Sequence, residues 1–412
     1  MKYGLIGEKL GHSYSCDIHS RLGNSDYVLR EVAREDTDSF FKSGDFLGIN
    51  VTIPYKETVI PYLSYISPEA KEIGAVNTVV NRDGRLFGYN TDVYGMESLI
   101  THAGLDLSGR KVAVLGTGGT SKTATCVAKR LGAREVIRVS RSGKEGAVKY
   151  GELYTSHCDI EAVINTTPVG MYPNTDSSPI ELSRFPALIG VIDAIYNPLR
   201  TRLILEAEEL GIPASGGLYM LVAQGVRASE IFFDKTYPEG TADDIYPALR
   251  RKKENIVLIG MPASGKSSVG KAIADSLGLS FTDTDEMIKE RAGMDIPDIF
   301  SRFGEEEFRN MESEAVKLAS SMSGTVIATG GGAVLRPENV RALKGNGRLF
   351  FLDRSPELLI PTSDRPLAGN REAINKRYAE RYPIYSAAAD IKIPAGGTVE
   401  SVAQLIMERI NK

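Results

Sequence analysis

The chain of 412 residues has no tryptophan, three cysteines and four histidines. Cys16, Cys126 and Cys158 show no paired spacing. That argues against a disulfide framework and against a zinc site, and fits a reducing, cytoplasmic compartment. The histidines lack metal-ligand spacing too. No apolar run approaches the roughly 20 residues that a bilayer-spanning helix needs. The opening MKYGLIGEKLGHS has no long apolar stretch followed by a small-residue cleavage site, so neither a signal peptide nor a membrane partner is expected. Charge of one sign is also missing: 49 Lys and Arg stand against 53 Asp and Glu, a net charge of −4. No basic field is therefore available to attract nucleic acid or an anionic membrane. What remains is an ordinary globular composition, 42% hydrophobic and 25% charged, in a chain long enough for two or three domains. Nothing in it speaks to the oligomeric state.

Short apolar runs organise the chain. KYGLIG, GINVTIP and AVNTVV read as strands with mostly helical connections over the first hundred or so residues. RKVAVLG is a buried strand feeding the helix TGGTSKTATCVAKRLG, which stops at Gly132. EVIRVSR, AVINTTP and GVIDAIY continue a strand–helix alternation that predicts a doubly wound parallel sheet. GLYMLVAQGVRASEIFF is a long apolar helix, expected to return to the N-terminal lobe. After the charged run RRKKE the pattern restarts with NIVLIG, a strand, and SSVGKAIADSLG, a helix. The organisation predicted is α/β throughout. A substrate lobe spans 1–103 plus 218–250, a dinucleotide-binding domain 104–217, a linker 251–254, and a second α/β domain 255–412.

Gly260-x-x-x-x-Gly265-Lys266-Ser267 matches the phosphate-binding loop pattern between a strand and a helix, the context that gives the pattern meaning. Backbone N–H groups from Gly260 through Ser264, Gly265, Ser267 and Ser268 would face phosphate oxygens. Lys266 would reach the terminal phosphates and Ser267 would ligate Mg²⁺. Asp283 and Asp285 lie two apart in FTDTDEMI. On a strand they would share a face, one serving the metal and the other a substrate hydroxyl proton. Arg309 and Glu312 are three apart and neighbours on a helix. Gly330, Gly331 and Gly332 weaken any regular element and bring backbone close to a ligand. Arg365 and Arg381 suit a carboxylate and a developing phosphoryl charge.

Across nearly all of 254–412, the loop, DTD, FGEEEFRNME, GGG, DRPL and RYPIY occur in the order of the shikimate kinase family, which this segment resembles. The resemblance implies a nucleoside-monophosphate-kinase-like fold with a lid. It makes Asp285, Arg309, Gly330, Gly331, Gly332 and Arg381 contacts to shikimate, Ser267 and Asp283 the Mg²⁺ side, and Arg365 the lid arginine that closes on ATP.

In the first part, Gly116, Gly118 and Gly119 follow a buried strand, with Thr120 in the helix that follows. The next strand ends at SRSGK rather than at an acidic residue. Arg141 there favours the 2′-phosphate of NADP(H) over the free ribose of NAD. Upstream, Lys56 and Asp92 make a proton donor and its orienting carboxylate, suited to a carbonyl that accepts hydride. Ser13 and Ser15 share a face if extended, and paired hydroxyls suit a carboxylate. GHSYSCDIH, GINVTIPYK, GAVNT, GYNTD, GTGGTSK, INTTPVGM, DAIYNPLRT and GLYMLVAQG follow one another as in the shikimate dehydrogenase family, which 1–250 resembles. The resemblance implies substrate contacts from Ser13, Ser15, Thr52, Asn77, Asp92 and Gln224, with Tyr196 nearby. Asn165, Thr166 and Met220 would lie along the nicotinamide side of the cleft. Cys16 stands where relatives usually carry Pro.

These readings meet in a bifunctional enzyme. The first part would reduce 3-dehydroshikimate with NADPH, and the second would phosphorylate the resulting shikimate with ATP and Mg²⁺. Two alternatives stand beside it. One is a quinate/shikimate dehydrogenase fused to a related kinase. The other is a chain in which one half is a non-catalytic sensor.

Overall fold

The computed structural model describes residues 1–11, 13–144, 146–359 and 371–410. It divides into two compact units. The first comprises Met1–Met171, Ser177–Tyr196 and Glu206–Arg250, and the second Tyr172–Asp176, Asn197–Leu205 and Arg251–Lys412. The stretch expected as a linker is mostly helical, because the helix Thr241–Lys253 runs through it.

The first unit holds two sheets. One is mixed, with the spatial order Tyr27–Glu31, Tyr3–Gly7, Gly48–Val51, Thr78–Arg82, Arg85–Tyr89 and Tyr65–Ile66. Its central strands Tyr3–Gly7 and Gly48–Val51 run parallel, and Thr78–Arg82 pairs antiparallel with both of its neighbours. The other sheet is parallel, in the order Ala214–Ser215, Gly190–Asp193, Ala162–Asn165, Lys111–Leu115, Glu135–Ser140 and Val148–Lys149. Every residue of Lys111–Leu115 and of Ala162–Asn165 is buried. That is how a strand covered on both faces reads in sequence, as a continuous apolar run. Chain order reverses between these two strands, which makes the crevice at their C-terminal ends the switch point of a doubly wound sheet.

The helix Leu218–Phe233 leaves the parallel sheet and packs back on the first lobe. Val222 and Val226 bury against Ile18 of the helix Ser15–Arg21 and Leu22 just after it. On its other side it joins Val93, Met96, Leu99 and Ile100 of the helix Asp92–His102 in the core of the unit.

The second unit is built on one parallel sheet in the order Ser280–Asp283, Thr325–Ala328, Asn255–Ile259, Gly347–Asp353 and Ile391–Pro394. Asn255–Ile259 is fully buried at its centre. The helices Lys266–Leu277 and Val399–Ile410 contribute Val269, Ile273, Val402 and Ile406 to the apolar layer on one face. The helices Ile296–Ser320 and Arg371–Ala388 contribute Val316, Ala319, Ile374 and Tyr385 to the layer on the other. Among the described residues no helix is long and apolar enough to cross a membrane.

Candidate active sites

In the first unit, Lys56 follows the strand Gly48–Val51 and Asp92 is the first residue of the helix Asp92–His102. The ammonium of Lys56 donates to Asp92 Oδ2 at 2.7 Å. Their side chains are 27% and 11% exposed, so the pair opens onto solvent on its lysine side. Asn90 Oδ1 accepts from the Asp92 N–H at 3.0 Å and fixes the helix start.

Buried beside it, Asn77 uses Oδ1 to accept from the Thr91 N–H at 2.8 Å, while its amide donates to Gln224 Oε1 at 3.4 Å. Asn77 and Gln224 are 147 residues apart, and the returning helix brings them together. Ser13 and Ser15 also meet: the Ser13 hydroxyl donates to Ser15 Oγ at 3.0 Å. They are not extended, because Ser15 opens a helix. The proximity comes from a turn in which Ser13 Oγ accepts the Ser15 N–H at 3.2 Å. Thr52 takes its place by donating its N–H to Ile6 O at 2.9 Å. Tyr196 is half-buried, and that burial raises its phenol pKa.

The glycine loop leaves the strand Lys111–Leu115 at Gly116, whose φ of +112° only glycine adopts readily. A Cβ there would also lie 2.8 Å from Thr166 Oγ1. Thr166 is itself held, its hydroxyl donating to Leu115 O at 2.6 Å. Gly118 and Gly119 face open space, with nothing among the described residues within 4 Å of an added Cβ. Free ground at the N-terminus of the 12-residue helix Gly119–Arg130, which includes Thr120, fits a dinucleotide pyrophosphate. Arg141 is exposed just beyond the strand Glu135–Ser140. Met220 is buried in the core.

Asn165 is the last residue of the strand Ala162–Asn165. It is fully buried, donates to Asp193 Oδ1 at 3.0 Å and accepts from the Thr167 N–H at 3.0 Å. Its amide is engaged inside the fold, where it shapes the loop that carries Thr166 and Thr167.

In the second unit the phosphate loop follows Asn255–Ile259, with positive φ at Gly260 (+149°), Ala263 (+64°) and Gly265 (+93°), and ends in the helix Lys266–Leu277. Lys266 Nζ folds back to donate to Gly260 O at 3.0 Å and Met261 O at 2.9 Å. Ser264 Oγ is buried and has no hydrogen-bond partner among the described residues. An orphaned hydroxyl inside such a loop is what an anionic phosphate oxygen would satisfy. Ser268 is exposed in the first helical turn.

Ser267 Oγ donates to Asp283 Oδ2 at 2.6 Å. A hydroxyl and a carboxylate are hard oxygen donors that fit Mg²⁺ together with phosphate oxygens. The two aspartates do not share a strand face. Asp283 ends the strand Ser280–Asp283 and caps the helix Thr284–Ala292, its Oδ1 accepting the Asp285 N–H at 2.9 Å. Capping turns the chain into a helix and sends the two side chains in different directions.

Asp285 points at the glycine turn. Its Oδ1 would lie 2.5 Å, and Glu312 Oε1 2.8 Å, from a Cβ on Gly330. A Cβ on Gly332 would meet Arg309 Nη1 at 2.0 Å. Arg309 and Glu312 are both buried and pair at 2.7 Å. Burial pushes the Glu312 carboxyl up, against the lowering effect of Arg309. Glu312 is thus part of the arrangement, which its spacing from Arg309 already hinted at. Arg381 Nη1 donates to Gly331 O at 3.0 Å and closes the other side. Arg365 lies outside the described residues.

The shikimate kinase family model matches residues 262–411, and the shikimate dehydrogenase substrate binding domain model matches residues 5–79. A shikimate dehydrogenase (NADP(+)) of Clostridium perfringens is 40% identical over 267 residues, which cover 60% of this chain and 98% of the relative. Another from Caldicellulosiruptor bescii is 36% identical, covering 57% of this chain and 89% of the relative. Among solved structures, shikimate dehydrogenase 1 of Peptoclostridium difficile superposes with a TM-score of 0.55 at 38% identity over 60% of this chain and 98% of its own. The Thermus thermophilus enzyme, solved in complex with NADP(H) and shikimate, gives 0.54 at 29% identity over 60% and 99%. The glycine loop on a parallel sheet, the phosphate loop on a second one and these likenesses agree: over about its first 60% the chain belongs to the shikimate dehydrogenase family, and beyond that it carries a shikimate kinase domain, which makes it a bifunctional enzyme of the shikimate pathway.

Proposed function

We propose that the first unit reduces 3-dehydroshikimate to shikimate with NADPH, and that the second phosphorylates the 3-hydroxyl of shikimate with ATP. The observation that carries the reading is the Lys56–Asp92 pair, 2.7 Å apart and beside the Asn77–Gln224 contact, on the same chain as a complete phosphate loop. The substrate lobe is assigned to 1–103 plus 218–250, the dinucleotide domain to 104–217 and the kinase to 255–412. Three unpaired cysteines suit a reducing cytoplasm.

Ser13 and Ser15 hold the substrate carboxylate. Thr52, Asn77, Asp92 and Gln224, with Tyr196 alongside, hold its hydroxyls. NADPH, when bound, supplies the hydride to the ring carbonyl carbon. Lys56 gives a proton to the carbonyl oxygen, and Asp92 orients the ammonium. The backbone at Gly116, Gly118, Gly119 and Thr120 receives the pyrophosphate, and Arg141 the 2′-phosphate. Thr166 and Met220 border the nicotinamide, and Asn165 supports them from within.

In the kinase, Arg309, Arg381 and the backbone of Gly330, Gly331 and Gly332 hold shikimate by its carboxylate and ring hydroxyls. Asp285 takes the proton of the attacking hydroxyl. Lys266, with Gly260, Ser264, Gly265, Ser267 and Ser268, neutralises the phosphates, and Ser267 and Asp283 face Mg²⁺. Arg365 is assigned to the ATP phosphates.

A coupled assay tests the whole. Purified protein receives 3-dehydroshikimate, NADPH, Mg²⁺ and ATP, and both NADPH loss and shikimate 3-phosphate are followed. Appearance of both supports the reading. Shikimate that accumulates unphosphorylated removes the kinase half, and phosphorylation of added shikimate without any NADPH loss removes the dehydrogenase half. Quinate in place of shikimate, with NADP⁺, reads out the broader specificity.

A further inference from the structure

Gly331 O accepts two hydrogen bonds from one helix. Arg381 Nη1 donates at 3.0 Å and the Tyr385 hydroxyl at 2.5 Å. The two residues are four apart in Arg371–Ala388 and so share a helix face. Tyr385 is 1% exposed, with its ring stacked on Phe351 at 5.2 Å between centroids. Burial pushes its phenol up to about 12, so it remains a donor at any working pH. Gly331 is buried as well, and a Cβ there would lie 2.7 Å from Pro262 of the phosphate loop. The Gly331 carbonyl therefore ties the glycine turn to the helix.

We propose that Tyr385 is a positioning residue of the kinase site, holding the Gly331 carbonyl so that Arg381 can turn from it onto the carboxylate of a ring hydroxy acid. The inference rests on the reading that Arg381 binds the shikimate carboxylate. A guanidinium that leaves a buried carbonyl orphans it unless a second donor stays. Tyr385 is that donor. Without it, Arg381 would be the group left to satisfy the carbonyl, and substrate would compete with Gly331 for the same guanidinium. The penalty then falls on shikimate binding rather than on ATP binding or turnover.

The test is steady-state kinetics of the full chain with Tyr385→Phe, which keeps the ring and removes the hydroxyl. We expect KM for shikimate to rise about tenfold, the effect of one hydrogen bond, with KM for ATP and kcat within about twofold. Arg381→Lys added to it should raise KM by less than the product of the two single effects, since both act on one carbonyl. Unchanged KM for shikimate overturns the inference. So does a parallel loss of kcat and of both affinities together with a lowered Tm, which marks a structural role, and so does additivity of the two substitutions. Tyr385→Met, which refills the space flexibly, carries the same expected split if the Phe variant does not fold. Wild-type protein that consumes no ATP with shikimate defeats the kinase reading itself, and this inference with it.

Discussion

The Lys56 ammonium and the Asp92 carboxylate meet at 2.7 Å from positions 36 residues apart. One sits just beyond a strand of the mixed sheet and the other at the start of a helix, and the Asn90 side chain fixes that start. A lysine held by a buried carboxylate has one orientation, which suits a proton donor. Lys56→Ala should lower dehydrogenase kcat by about 10²–10⁴-fold, read from the loss of NADPH absorbance with 3-dehydroshikimate. An unchanged rate would mean that Lys56 is only half of an ion pair.

Lys266 is folded over its own loop, bonded to two backbone carbonyls. Phosphates would draw it off them, with the ammonium then neutralising charge in the transition state. Lys266→Ala should cut ADP release by roughly 10²–10³-fold. NADPH oxidation by the same preparation should be unaltered. Loss of both activities would point to misfolding instead.

Gly332 leaves no room for a side chain, since its Cβ would stand 2.0 Å from Arg309 Nη1 and 2.6 Å from Cζ. Gly332→Ala must displace the guanidinium from its pairing with Glu312 or open the turn. KM for shikimate should rise about tenfold or more, with KM for ATP much less affected. Titration calorimetry with shikimate alone checks it. Wild-type affinity would show that Arg309 has no part in binding.

His19 is 1% exposed, and its ring lies 3.9 Å from that of Tyr27 in a stack with 10° between planes. Burial pushes its imidazole pKa from 6.5 down to about 4. A depressed folded value means that the unfolded chain takes up the proton first. The stability contributed is therefore complete above pH 6.5 and is lost as pH falls through about 4. The shift corresponds to about 3 kcal/mol at full effect. His19→Phe keeps the stack and removes the proton site. Between pH 6.5 and 4 the wild type should lose urea stability faster than this variant. Parallel curves would refute the assignment.

Local signals were plain in the sequence where short-range physics decides. The continuous apolar runs at Lys111–Leu115 and Asn255–Ile259 became buried parallel strands, and the glycines that follow them took the positive φ that the loops require. Where two local structures compete, residue spacing misled. Asp283 and Asp285 read as one strand face, yet the Asp283 side chain caps a helix. Ser13 and Ser15 read as an extended pair, yet a turn and a helix start bring their hydroxyls together. A capping bond costs little and redirects the chain, so two residues of register are easily lost.

Partner identity was a different matter. Family resemblance puts Asn165 beside the cofactor, but the partner that its amide takes, Asp193 on the adjacent strand, is not legible in spacing. Neither the Gly331 carbonyl that Tyr385 shares with Arg381 nor the orphaned hydroxyl of Ser264 follows from spacing. By itself the sequence determined the two α/β parts, the two phosphate-facing loops and the residue types available to each, because strand burial and glycine φ are set within a few residues. Only the tertiary structure decided that Asn77 meets Gln224, and that Asp285, Arg309 and Glu312 converge on one glycine turn. Those contacts join residues distant along the chain, and their geometry is set by how sheets and helices close-pack, which no short stretch of sequence encodes.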